Sequence, residues 1–90
     1  PKTKVIFLSH ITSATALVFP IEKIVNIARE KGILTIIDGA HVPAHIPLNI
    51  HELGCDFYTG ACHKWLCGPK GSSFLFVKKE IISSIYNNII

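Results

Sequence analysis

The stretch ILTIIDG, Ile33–Gly39, decides the fold. It runs from Ile33 to Ile37 without the polar alternation of a half-exposed strand and stops at Asp38-Gly39, a turn dipeptide. A strand of this kind must be covered on both faces, as the strands of α/β sheets are. Upstream, Ile21, Ile24, Val25 and Ala28 recur at helical spacing, with Glu22, Lys23, Asn26, Arg29 and Glu30 on the other side. Pro20 suits the first turn of that helix and Gly32 the position just past its end. Further upstream, Lys4–Ser9 (KVIFLS) is a second continuous apolar run, followed by the turn-prone HITSAT, His10–Thr15. Lys4 to Asp38 therefore forms a strand, helix, strand unit, whose crossover makes the two strands parallel and the connection right-handed.

Downstream of Asp38, Pro43 and Pro47 keep the chain irregular, and Asn49 with Glu52 offers a capping box for one helical turn closed by Gly54. Cys55–Thr59 (CDFYT) is a third strand candidate, Gly60–Gly71 a loop and Ser73–Val77 (SFLFV) a fourth strand. A helix starts from Lys79 with Ile81, Ile82, Ile85 and Ile89 largely on one face. One complete helix and one partial helix are too few to cover a four-stranded apolar sheet. The 90 residues, 49% of them apolar, are expected to be part of a larger domain, with no boundary inside residues 1–90. The absence of methionine leads to the same expectation of a longer parent protein.

The net charge of +3 comes from scattered lysines with only Lys78-Lys79 adjacent, a solvated surface and not a nucleic-acid footprint. No apolar run has membrane-spanning length, and three cysteines, an odd number, point to free thiols in a reducing compartment. A cytoplasmic protein without nucleic-acid or membrane partners is the expectation.

In open parallel sheets ligands sit beyond the carboxyl ends of the strands. The first strand leads into His10, Thr12, Ser13 and Thr15, the second ends at Asp38, and the third leads into His63-Lys64. An amine beside a carboxylate at one sheet edge suits pyridoxal phosphate chemistry: lysine can form a Schiff base with the aldehyde, and a carboxylate keeps the pyridine nitrogen protonated. A metal site from Cys62, His63 and Cys67 lacks a second ligand pair, and Gly68-Pro69-Lys70-Gly71-Ser72 lacks the order of a phosphate-binding P-loop. A Cys62 thiol nucleophile beside His63 is weakened because neighbours on an extended chain point to opposite faces.

The stretches SHITSATALVFPIEKI, TIIDGAHVPAHIPLNIHELGCDFYTGACHKW and GPKG resemble the class V aminotransferase family of fold-type I pyridoxal phosphate enzymes, and most of all its isopenicillin N epimerase-like and cysteine desulfurase-like members. The resemblance runs from about Val5 to Val77 and rests on Asp38, His41, His63-Lys64 and Gly68–Gly71 in the family's order and spacing. It implies a central slice of a mainly parallel, three-layer α/β/α large, cofactor-binding domain. It also implies an enzyme acting on an amino acid, built as a homodimer.

Carried over residue by residue, Lys64 is the Schiff-base lysine and the base that moves the substrate's Cα proton. Asp38 pairs with the pyridinium nitrogen, His41 lies against the phenolic oxygen where many relatives have glutamine, and His63 meets the phosphate. Thr12 and Ser13 fall near the ring. No residue is implied as a metal ligand, and His10, His45 and His51 are expected at the surface or in a layer behind the site.

The sequence departs from the family at Ala61, where desulfurases commonly carry a phosphate-binding serine, and at Ala16, where a glycine is frequent. The desulfurases' reactive cysteine lies on a loop beyond this region, so none of Cys55, Cys62 or Cys67 inherits its role. Transamination, epimerisation, elimination and desulfuration share the implied first steps. The competing reading is a non-catalytic structural or interaction fragment that keeps the fold; within the family the rival is the desulfurase and lyase branch.

Overall fold

A computed structural model describes residues 2–89. Its elements are β1 (Val5–Ser9), α1 (Ile21–Glu30), β2 (Leu34–Asp38), α2 (Ile50–Leu53), β3 (Phe57–Ala61), β4 (Ser73–Val77) and α3 (Lys79–Ile89). The strands form one sheet in the order β1-β2-β3-β4. The β1–β2 and β2–β3 pairs are parallel and β3–β4 is antiparallel, so the expected mainly parallel α/β sheet is present. An antiparallel return needs no crossover helix, and the loop between β3 and β4 supplies none.

The helix ends follow from local chemistry. Past α1, Gly32 takes φ +68, its N–H reaches the Arg29 carbonyl, and the Ile33 N–H reaches that of Ala28 at 2.9 Å, a Schellman closure. Ile33 is thereby spent on the helix cap, which is why β2 begins at Leu34. Pro20 stands one residue before the helix, at its N-cap. Asn49 caps α2 by accepting from the Glu52 N–H, and Gly54 ends it at φ +75.

The third strand starts two residues later than the sequence suggests and extends to Ala61. Asp56 is otherwise engaged: its Oδ2 accepts from the Thr35 N–H at 2.9 Å, and the Asp56 N–H donates to Thr35 Oγ1 at 3.1 Å. Cys55 is buried in the core, where loss of water pushes its thiol up to about 11.

One face of the sheet carries the core. Ile21 and Val25 of α1 pack with Ile37, Cys55 and Tyr58, and Leu8, Leu48, Ile50, Leu53, Phe74 and Phe76 surround them. The strand registers place Val5, Phe7, Leu34, Ile36, Phe57 and Leu75 on the opposite face. That face is open: Phe7 is 66% and Leu75 62% exposed. Ile82 and Ile85 of α3 are also exposed, and the Ile89 side chain lies outside the described residues. Among the described residues no helix is long and apolar enough to cross a membrane.

A contiguous apolar sheet face of this kind drives association when nothing covers it. Residues 1–90 expressed alone are therefore expected to self-associate and to unfold without a cooperative transition, as read by sedimentation and urea denaturation. A monomer with a sharp transition would contradict the reading of the open face.

Candidate active site

The parallel registers pair Ser9 with Asp38 and Asp38 with Thr59 at the carboxyl ends of β1, β2 and β3. The three loops leaving those ends therefore emerge at one edge of the sheet, as the sequence predicts. Asp38 shares the open face with Ile36 and Thr59. Its Oδ1 accepts from the Ala40 N–H at 3.0 Å, which fixes the carboxylate at the start of the turn, and among the described residues Oδ2 takes no hydrogen bond. The next residue has no room for a side chain: a Cβ on Gly39 would collide with the Tyr58 ring.

Tyr58 is buried beneath this turn, and its hydroxyl lies 2.9 Å from His10 Nδ1. Burial raises the phenol well above its ordinary value and lowers that of His10, so both stay neutral. His10 is thus a buried residue behind the site and not a surface one. His51 is exposed, edge-on to Phe76.

The loop after β3 is clamped at its base. Cys62 donates its N–H to the Ser72 carbonyl at 2.9 Å and accepts from the Gly68 N–H at 2.5 Å. A Cβ on Gly68 would lie 2.6 Å from the Cys62 carbonyl oxygen, so only glycine closes the clamp without displacing backbone. His63 Nδ1 donates to the Ser72 carbonyl at 3.0 Å. Between these anchors Lys64 and Trp65 are presented to solvent, and Cys67 turns the chain at φ +61.

Lys64 Nζ lies 3.5 Å from His41 Nε2, and the indole N–H of Trp65 donates to His41 Nδ1 at 3.3 Å. His45 stacks on Trp65 with ring centroids 4.2 Å apart and donates from Nδ1 to the His41 carbonyl at 2.9 Å. Lys64 and His41, far apart in sequence, are thus brought together. Trp65 and His45 are additions that sequence reasoning missed. The available signals were weak: a single tryptophan directly after Lys64, and a histidine four residues after His41.

Thr12 is committed elsewhere. Its hydroxyl contacts Thr15 Oγ1 and accepts from the Leu17 N–H at 2.9 Å, within a loop closed by the Ile11–Val18 bridge. Ser13 is exposed, and among the described hydrogen bonds none joins Thr12, Ser13, His63 or Asp38 to Lys64. Ala16 in this loop adopts φ +53, a conformation that favours glycine. Ala61, the other departure, is buried in β3 opposite Ser73. Arg29 lies away from the site, donating to the Gly54 carbonyl at 3.0 Å beyond the opposite end of the sheet.

The family profile described as Aminotransferase class-V matches residues 1–87. The chain is similar to isopenicillin N epimerase of Streptomyces clavuligerus, 44% identical over 83% of this chain and 19% of that protein. It is 34% identical to a putative L-cysteine desulfhydrase of Oryza sativa subsp. japonica over 99% of this chain and 19% of the relative. The structure of a cysteine desulfurase from Thermococcus onnurineus NA1 superposes with a TM-score of 0.85 at 26% identity, covering 90% of this chain and 20% of that one. The chain thus spans about a fifth of the length of the relatives it matches.

Proposed function

Because the chain belongs to the aminotransferase class-V family, we propose that it is the cofactor-anchoring part of a pyridoxal phosphate enzyme acting on an amino acid. The observation that carries the reading is the Lys64 amine, held against an imidazole at the same sheet edge as a carboxylate with one oxygen uncommitted among the described residues. This donor set fits the cofactor. Pyridoxal phosphate supplies an aldehyde for covalent attachment and a ring that draws electrons from the substrate's Cα.

The chain's own residues divide the remaining work. Lys64 would hold the cofactor through its Nζ, and as a free amine the same nitrogen would be the base that takes up the substrate's Cα proton. Asp38 uses Oδ1 for its own positioning, and its Oδ2 would accept from the ring N–H and so favour the protonated nitrogen. His41, whose Nε2 lies 3.5 Å from Lys64 Nζ, would be the residue beside the cofactor's phenolic oxygen. His63 has Nδ1 committed to a carbonyl, so Nε2 is the nitrogen that would face the phosphate. Ser13 and Thr12 would lie on the loop near the cofactor ring, Thr12 with its hydroxyl also accepting from the Leu17 N–H.

Exposed Leu17, Val18, Trp65 and Leu66 on the loops at this edge support closure of the site by a second protomer, as a homodimer. The proposal extends to removal of the Cα proton, the step that epimerisation, transamination and desulfuration have in common. It is tested by incubating the full-length protein and pyridoxal phosphate with each amino acid in deuterated buffer. Solvent deuterium is expected at Cα of at least one of them; no exchange with any would contradict an enzyme of this class.

A further inference from the structure

We infer that Trp65 is a positioning residue that fixes the tautomer of His41 and thereby turns a hydrogen-bond donor toward Lys64. The indole N–H can only donate. It lies 3.3 Å from His41 Nδ1, which must therefore be the unprotonated nitrogen. A neutral imidazole carries one N–H, so that proton resides on Nε2, the atom 3.5 Å from Lys64 Nζ. An ammonium group cannot accept a hydrogen bond, whereas a free amine has a lone pair. The His41–Lys64 contact in this tautomer is therefore matched to the unprotonated lysine, the form that attacks an aldehyde.

Without the indole, the imidazole proton can move to Nδ1. Nε2 then accepts from the Lys64 ammonium, and the pair favours the form of lysine that cannot react. His45 supports the arrangement from both sides, stacking on the indole and bonding the His41 carbonyl, so the ring plane and the backbone beneath His41 are held by one residue. Trp65 is half exposed, and its burial alone does not account for an indole N–H aimed at one imidazole nitrogen. The functional consequence rests on the reading of Lys64 as the cofactor lysine; the tautomer does not.

The tautomer is read directly from long-range proton–nitrogen correlation spectra of the full-length protein labelled with nitrogen-15 histidine. Pyridoxal phosphate is left out, and His41 is assigned from its loss in His41→Gln. Wild type is expected to show the Nε2–H form, and Trp65→Phe, which keeps an aromatic ring against His45, is expected to shift His41 toward Nδ1–H. A wild-type His41 in the Nδ1–H form, or an unchanged tautomer in Trp65→Phe, would overturn the inference.

The second readout is the rate of covalent pyridoxal phosphate capture. Trp65→Phe should slow it about tenfold, by analogy with the partners that orient metal-bound histidines, whose removal costs about ten- to a hundredfold. In a His41→Gln background the same change should have less than about a twofold effect, because an amide NH2 donates without a tautomer to choose. Equal losses in both backgrounds would show that Trp65 serves only packing. Failure of capture in wild type would instead count against Lys64 as the cofactor lysine and leave the spectra to decide the tautomer.

Discussion

Asp38→Asn is expected to slow exchange of the substrate's α-proton by about a hundred- to a thousandfold in the full-length protein, while leaving the fold and cofactor binding in place. The amide is the same size as the carboxylate, and its oxygen can accept from the Ala40 N–H as Oδ1 does, so the turn at Gly39 survives. In the proposed role, what is lost is the negative charge that would keep the ring nitrogen protonated. A group that stabilises charge developing in the transition state contributes losses of about this size when it is removed. Deuterium incorporation at Cα, measured by proton NMR, reports proton removal independently of any later step. Exchange near the wild-type rate would contradict the role given to Asp38.

Lys64→Ala is expected to have the larger effect, a loss of about four orders of magnitude in the same exchange reaction, the upper range for removing a positioned proton-transfer group. The fold should be unaffected, because Lys64 is exposed and its side chain meets only His41 among the described hydrogen bonds. A small primary amine added to the variant should restore part of the rate, since it can stand in for Nζ as the base. Lys64→Ala with a wild-type exchange rate would remove Lys64 from the mechanism.

The parts of this protein that were legible in its sequence are those fixed by local patterning. Continuous apolar runs announced β1 and β2, the spacing of Ile21, Val25 and Ala28 announced α1, and Asp38 was readable as the end of a parallel strand. Boundaries slipped where a residue served two purposes. Ile33 became part of the α1 cap, and Asp56 answered Thr35 across the sheet instead of continuing β3.

The open sheet face was legible from strands too apolar for the helices available. The pairing of Trp65 and His45 with His41 was not, because a contact between loops leaves no periodic trace in either of them. Thr12 is a second case. Its hydroxyl accepts from the Leu17 N–H within its own turn, a local contact that no apolar pattern announces.

The central claim is that Lys64 is the residue that carries the cofactor, and borohydride reduction of the full-length protein mixed with pyridoxal phosphate, then peptide mapping, tests it most directly. Reduction freezes the covalent link, and proteolysis with mass spectrometry locates it. The account predicts the phosphopyridoxyl group on Lys64 within the Cys62–Cys67 loop; finding it on Lys70, or on no lysine of this chain, would contradict the account.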